Sequence, residues 1–369
     1  MSGKLRCLIV DDSIAYRMFI KRVLDSIDSC EVVGQACDGV DALQKVLELG
    51  PDIITLDLEM PKRDGLEFLL DLKETGSDAK VVVVSSIAKR DGENTIKALK
   101  RGAFDFITKP TSRDPRETEK QLRTDLERFI DTVHYMANTG ASGPKEQQSN
   151  IAVPDTRIES VVPKSPPVQS AKFDVIAIGI STGGPEALSK VFKQLPGHLN
   201  VPILIVQHMP ATFTKNLADA LNAKSELKVK EAEHGEILKP NVAYLAPGGT
   251  QMKLRKSGFD VSVVITDDPP ELFCKPSVNY LFESIAEIYG KRTLAIIMTG
   301  LGADGVRGLT LLKQKNATVY SQDKESCSVW GMPGAAVGAG LVDQEIPLMQ
   351  IPVRISQAVL GTPTHDPII

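Results

Sequence analysis

The stretch Phe173-Asp174-Val175-Ile176-Ala177-Ile178-Gly179-Ile180-Ser181-Thr182-Gly183-Gly184-Pro185 decides how the chain folds. Val175 to Ile178 is an unbroken apolar run, which predicts a strand buried on both faces. A glycine-rich turn follows, and Pro185 suits the first turn of a helix. A strand, a sharp turn and a helix would present Ser181 at the carboxyl edge of a sheet, where open α/β sheets keep their ligands. Gly179-x-Ser181-x-Gly183 also fits the nucleophile-elbow pattern of serine hydrolases. Read alone, the same turn serves equally as a helix cap through Ser181 or Thr182, or as a phosphate cradle.

Downstream, strand and helix signals alternate to about Leu360. Val201–Val206, Val242–Ala246, Val261–Ile265, Thr293–Met298 and Ala317–Tyr320 read as strands. Ala187–Leu195, Leu217–Leu221, Val278–Tyr289 and Val306–Lys315 read as helices. A nucleophilic serine needs a base, and the base needs an orienting carboxylate. Five histidines allow elimination. His134 falls on an N-terminal helix, His365 in the C-terminal tail, His198 in a proline-flanked connection and His234 in an acidic stretch without a strong strand before it. His208 follows the strand Val201–Val206 and so shares an edge with Ser181. Taken alone it is as readily a capping loop histidine as a base. Asp304 lies in the glycine-rich turn after Thr293–Met298, and reads either as the orienting carboxylate or as the N-cap of the helix from Val306. The predicted order Ser181, His208, Asp304 departs from the Ser, Asp/Glu, His order of α/β-hydrolases. Forcing that order would need Asp219 and His234 instead. Backbone N–H groups near Thr182 and Leu301 are the expected oxyanion donors.

Upstream, from Leu5 to about Ala137, the pattern alternates strand and helix five times. Apolar runs Leu5–Val10, Val32–Ala36, Ile53–Leu56, Val81–Val84 and Phe104–Ile107 predict a parallel, doubly wound domain. The expected limits are 1–125 for this domain, its last helix reaching 137, then a flexible linker over 138–172 and a larger α/β domain over 173–360. The linker reading rests on five prolines and no aromatic residue between Asn138 and Lys172, a composition that cannot bury enough surface to order itself.

Asp11 and Asp12 end the first predicted strand, and Asp57 ends the third. In a flavodoxin-like order those ends are neighbours. Three converging carboxylates call for a hard divalent cation with oxygen ligands, Mg²⁺. Ser85 ends the fourth strand and Lys109 the fifth, adding a hydroxyl and an ammonium. Carboxylate, metal, cation and hydroxyl together make a phosphoryl acceptor site. Each residue alone reads as a cap or a solvated loop residue; five at successive strand ends do not.

Hydrophobic content of 42%, charged content of 24% and a net charge of −4 bound the class further. They fit soluble α/β domains and exclude a nucleic-acid binder that relies on overall basicity. No apolar run is long enough for a membrane span, and Met1 to Arg6 enters a strand pattern without a signal-peptide core. The five scattered cysteines contain no CxxC and read as reduced thiols, which predicts a cytoplasmic protein. No GxxxxGK[ST] phosphate loop occurs.

Residues 5 to about 125 resemble the receiver domain of two-component response regulators, through Asp11-Asp12, Asp57 with Met60-Pro61, Ser85, Phe106 and Lys109-Pro110. The resemblance implies that a histidine kinase phosphorylates Asp57. It also implies that Asp11, Asp12, Asp57 and the Glu59 carbonyl hold Mg²⁺, and that Ser85 and Phe106 form the switch pair. The spacing between Ser85 and Lys109 predicts a slightly long loop around Ala88–Glu93.

Residues 173–360 resemble the catalytic domain of chemotaxis protein-glutamate methylesterases, the CheB family. The matching motifs are Gly179 to Pro185, Gln207-His208-Met209-Pro210, Ala246-Pro247-Gly248, Met298-Thr299-Gly300 with Gly302-Ala303-Asp304-Gly305, and Gly331-Met332-Pro333. The resemblance implies hydrolysis of glutamate methyl esters on chemoreceptors, deamidation of receptor glutamines and no organic cofactor. Leu301 stands where many relatives carry methionine, and Gly249-Thr250-Gln251-Met252 departs from the charged residues common there. A receiver joined to a hydrolase predicts that the unphosphorylated receiver covers the Ser181 edge. The alternatives are a response regulator whose output domain only binds, and a DNA-binding output domain, which charge disfavours.

Overall fold

The computed structural model describes residues 3–361 apart from 87–88, 111, 113, 140–172, 212 and 273. The expected linker lies outside the described residues except for 138–139; of the long loop expected around Ala88–Glu93, Ala88 lies outside them and Lys89 onward is helix instead.

The N-terminal unit runs β1 (Leu5–Val10), α1 (Ile14–Asp25), β2 (Cys30–Ala36), α2 (Gly39–Leu49), β3 (Ile53–Leu56), α3 (Gly65–Glu74), β4 (Lys80–Ser85), α4 (Lys89–Lys100), β5 (Asp105–Thr108) and α5 (Pro115–Thr139). Its parallel sheet has the order β2-β1-β3-β4-β5, the flavodoxin-like order expected. Register does the functional work. Val10 pairs with Leu56, so Asp11 and Asp57 leave the sheet side by side. Ser85 pairs with Thr108, so Lys109 leaves beside them. Helix starts are fixed locally: Ser13 caps α1, Asp38 caps α2, and Asp64 with Glu67 closes a capping box on α3.

The second unit runs β6 (Val175–Ile180), α6 (Gly184–Phe192), β7 (Ile203–Gln207), α7 (Phe213–Asn222), β8 (Lys228–Glu231), β9 (Val242–Leu245), β10 (Gln251–Ser257) and β11 (Asp260–Thr266). It continues through α8 (Val278–Ile288), β12 (Thr293–Ile297), α9 (Val306–Gln314), β13 (Thr318–Gln322), α10 (Met332–Gly338), β14 (Gln344–Ile346) and α11 (Ile351–Leu360). The seven-stranded sheet has the order β14-β13-β12-β6-β7-β9-β8 and is parallel throughout. The chain moves outward from β6 on one side and returns at β12 on the other. The β6/β12 boundary is therefore a topological switch point, and its carboxyl end opens into a crevice.

Val261–Ile265, read as a strand, is one, and it lies in an antiparallel hairpin, β10–β11, apart from the main sheet. Its half-buried pattern suits a two-stranded ribbon with one solvated face. His234 does follow a strand: β8 is an edge strand whose Lys and Glu residues hid it from an apolar-run criterion.

Candidate active site

Three loops meet at the switch point. Ile180 pairs with Gln207 and Ile297 with Gly179, so the residues after β6, β7 and β12 emerge together. The Ser181 N–H donates to Thr299 O at 2.9 Å, and the His208 N–H donates to Ile180 O at 3.1 Å. Gln207, which the motif reading left without a role, bridges the two loops: its Nε2 donates to Ser181 O at 2.9 Å and to His208 O at 3.1 Å. A Cβ on Gly300 would lie 2.6 Å from the Ser181 Cβ and 2.6 Å from the Met332 sulfur, so only glycine lets the loops approach this closely. Gly183 has φ +78°, the left-handed turn that hands β6 to α6, and Pro185 occupies the first turn of that helix.

His208 Nε2 lies 2.7 Å from Asp304 Oδ2. The carboxylate is buried and takes three more donors: Ser277 Oγ at 2.9 Å, Val278 N–H at 2.7 Å and Asn279 N–H at 3.0 Å. Asp304 therefore sits at the N-terminus of α8, where unpaired amides and the helix dipole favour an anion. The other reading of Asp304, as the cap of α9, is not met: Gly305 is the N-cap there, without a side-chain bond. Burial would raise the Asp304 carboxyl, but His208 and the two backbone amides outweigh it and hold it below the usual range.

The imidazole's other nitrogen, Nδ1, faces Cys274 Sγ at 3.6 Å. Among the described residues no hydrogen bond joins Ser181 Oγ to the ring, although both residues line one cavity of about 430 Å³. Burial disfavours a charged ring, yet Asp304 and the Cys274 sulfur outweigh it and push His208 up to about 9. Among the described residues, neither the Thr182 nor the Leu301 N–H donates to a protein acceptor. The alternative pair does not assemble: Asp219 bonds Lys215 on α7, and His234 Nδ1 lies against the backbone of Ile265.

The pKa of His208 has a kinetic consequence. A protonated ring cannot accept the serine proton, so kcat/KM should climb with pH and level off only above about pH 9. Cys274→Ala should move the midpoint down, because the sulfur helps hold the proton. A profile flat from pH 7 to pH 9 in both proteins would contradict this. Stability runs the other way: the raised ring pKa favours the fold below the ordinary histidine range and loses that contribution as pH rises through about 9.

In the N-terminal unit, Lys109 Nζ lies 2.8 Å from Asp57 Oδ2 and 3.1 Å from Asp11 Oδ2. Burial opposes its charge, but Asp57 and Asp11 outweigh that and hold the ammonium above the usual lysine range. Oxygens of Asp11, Asp12 and Asp57 lie within 4.8 Å of one another. Burial raises Asp11 despite Lys109, and Asp57 adds to the rise. Three carboxylates against one ammonium leave a net negative cluster of hard oxygen donors, which fits a divalent cation of the Mg²⁺ type. Glu59 is exposed two residues beyond Asp57, and Ser85 is buried at the end of β4.

The two units touch at the site itself, through residues that periodicity could not single out. Asp105, at the start of β5, accepts from Thr182 Oγ1 at 2.9 Å. Its burial pushes it up to about 6, against the pull of the Phe106 N–H, Thr182 and Arg128. Phe106 packs its ring 4.6 Å from that of Phe213 on α7, and Tyr135 OH donates to Trp330 O at 3.0 Å. The 430 Å³ cavity is lined by Ser181, His208 and Cys274 on one side and by Asp105, Asp125 and Arg128 on the other.

Comparison with known proteins identifies both units. The CheB methylesterase family profile matches residues 176–355, and the response regulator receiver domain profile matches residues 7–121. The protein-glutamate methylesterase/protein-glutamine glutaminase of Desulfotalea psychrophila is 43% identical over 96% of this chain and 98% of its own length. Its namesake in Thermotoga maritima is 38% identical over 96% and 98%. The crystal structure of the Thermotoga maritima CheB methylesterase catalytic domain is 39% identical, with a TM-score of 0.50, over 50% of this chain and 98% of that one. With near full-length relatives and both domains matched in order, the chain belongs to the CheB family of methylesterases that carry a response-regulator receiver domain.

Proposed function

We propose that this chain hydrolyses glutamate methyl esters on chemoreceptors and deamidates receptor glutamines, at a rate set by phosphorylation of Asp57. The observation that carries the reading is the edge where Ser181, Thr182 and His208 line one cavity, with the buried Asp304 carboxylate on the ring's other nitrogen. Ser181 Oγ attacks the ester carbonyl while His208, through the nitrogen that Asp304 leaves free, takes the hydroxyl proton. The serine–imidazole contact closes on substrate, as such bonds do in many hydrolases. The Thr182 and Leu301 N–H groups meet the developing oxyanion, each contributing about 3–4 kcal/mol to lowering the barrier. The imidazolium returns its proton to the departing methoxide, methanol leaves, and water hydrolyses the acyl-serine by the same steps. An amide substrate follows the same course with ammonia as leaving group.

In the receiver, Asp11, Asp12 and Asp57, with the Glu59 carbonyl, would hold Mg²⁺, which when bound neutralises phosphoryl oxygens during transfer. Asp57 accepts the phosphoryl group from a histidine kinase, and Lys109, already on Asp57, holds a phosphate oxygen. Ser85 and Phe106 respond as the switch pair. The Phe106–Phe213 and Asp105–Thr182 contacts support a receiver that restrains the hydrolytic edge until Asp57 is phosphorylated. The protein works in the cytoplasm, without nucleic acid; among the described residues no helix is long and apolar enough to cross a membrane.

The test is methanol release from receptor membranes carrying labelled methyl esters, with and without a small-molecule phosphodonor. Phosphodonor should raise the rate, and Asp57→Ala should abolish that rise while leaving the basal rate in place. Asp105→Ala, which removes the acceptor of Thr182, should raise the unphosphorylated rate severalfold. A chain starting at Lys172 should exceed the unphosphorylated full chain. Equal or lower activity in both would remove the restraint from the account.

A further inference from the structure

We propose that Cys274 Sγ and His208 Nδ1 form a binding site for a thiophilic divalent cation, and that an ion seated there blocks the hydrolytic site. The switching half rests on the triad reading above; the binding half does not. The sulfur and ring nitrogen are 3.6 Å apart. A tetrahedral zinc ion with Zn–S of about 2.3 Å and Zn–N of about 2.0–2.1 Å separates those atoms by roughly 3.5 Å. The pair is thus already spaced to share an ion. An Asp304 oxygen lies in the same cluster, within 4.8 Å, on the ring's other nitrogen.

Its surroundings are those of a metal-ligating histidine. Such a ring places its other nitrogen on a carboxylate, which fixes the tautomer and raises ligand basicity. Asp304 does this from Nε2, and is itself held by three donors. The thiol is equally anchored. Glu271 and Cys274 exchange backbone hydrogen bonds of 3.0 and 2.8 Å, and Gln251 Nε2 lies 3.4 Å from Cys274 O. Asn279 Nδ2 and the Arg307 guanidinium hold the Glu271 carboxylate at 2.8 and 2.7 Å. The Lys275 ammonium is bonded to Asp267 at 2.7 Å, which gives that charge a partner of its own. The adjoining cavity leaves room for water in the remaining coordination positions.

A thiolate and an imidazole select Zn²⁺ or Co²⁺ over Mg²⁺, which the receiver's oxygen donors favour. The ion takes the lone pair that His208 needs as a base, and binding releases the thiol proton and any ring proton to solvent.

The experiment uses the full unphosphorylated chain in metal-free buffer, with Co²⁺ alone and Zn²⁺ alone as probes. Co²⁺ should give a thiolate-to-cobalt charge-transfer band at one equivalent. Cys274→Ser and Cys274→Ala should lose it, whereas Cys37→Ser, at an exposed thiol in the receiver, should keep it. Zn²⁺ should suppress methanol release reversibly with chelator, and Mg²⁺ should not. Each Cys274 variant, scored against its own metal-free rate, should need at least about tenfold more Zn²⁺, since losing a ligand costs no less than losing an outer partner. No band in the parent chain, or a band that survives in both Cys274 variants, overturns the site. A band without loss of hydrolysis overturns the switch. If the parent releases no methanol without metal, the functional reading fails while the spectrum still decides the site.

Discussion

Ser181→Ala should lower kcat for methanol release by about 10⁴–10⁶-fold and leave the fold intact. The change deletes one partly exposed hydroxyl that makes no hydrogen bond among the described residues. The bonds that hold Ser181 run through its backbone atoms: its N–H on Thr299 O, and its O beneath Gln207 Nε2 and the Gly184 N–H. An alanine keeps them all. The oxyanion donors and the pocket also remain, so activity should fall to the residual level they support rather than to zero. The measurement is steady-state methanol release, with thermal unfolding as the fold control. A loss below tenfold would shift the nucleophile elsewhere, with the Cys274 thiol beside His208 the first alternative.

Asp304→Asn should cost about 10⁴ in kcat through the ring it orients. Asparagine offers one acceptor where the carboxylate accepts from His208, Ser277, Val278 and Asn279. Its amide N–H₂ would face a donor, and the N-terminus of α8 would lose its counter-charge. Two readouts separate orientation from simple structural damage. The pH midpoint of residual activity should drop well below about 9, since the carboxylate is foremost among the groups that raise the ring. The fold should survive with reduced stability, because an unmet buried donor costs about 1–3 kcal/mol. An unshifted midpoint would deny Asp304 its role on the imidazole.

Much of this was legible in the sequence because the chemistry sits where regular structure ends. Val175–Ile180 is buried on both faces, and so is β12, and such strands announce themselves as apolar runs. Parallel pairing then forces the residues that follow them onto one edge, which is why Ser181, His208 and Asp304 could be named together, and Asp11, Asp57 and Lys109 likewise. Strands of mixed polarity were harder. Lys228–Glu231 and Gln251–Ser257 carry charge, so no apolar run marks them, although each pairs with the next strand in the chain. The pairing of a receiver with a hydrolase led to the expectation of a contact at the Ser181 edge, but the residues that make it were not legible. Nothing in the periodicity of β5 marks Asp105 as the partner of Thr182, or Phe106 as the neighbour of Phe213. Cys274 was read only as one of five scattered thiols, and its place beside His208 depends on the Glu271–Cys274 turn. Asp304 was read as the orienting carboxylate or as the cap of the helix that follows it; that α8, which precedes it in sequence, supplies its amides was not legible.

The central claim is that serine, imidazole and carboxylate act as one unit, and a double-mutant cycle on kcat addresses it directly. Residues of one catalytic unit are grossly non-additive, since losing one member already strands the others. The account predicts that Ser181→Ala combined with Asp304→Asn is no slower, within a few-fold, than Ser181→Ala alone. Losses that multiply across the two substitutions would place the two residues in separate steps and contradict it.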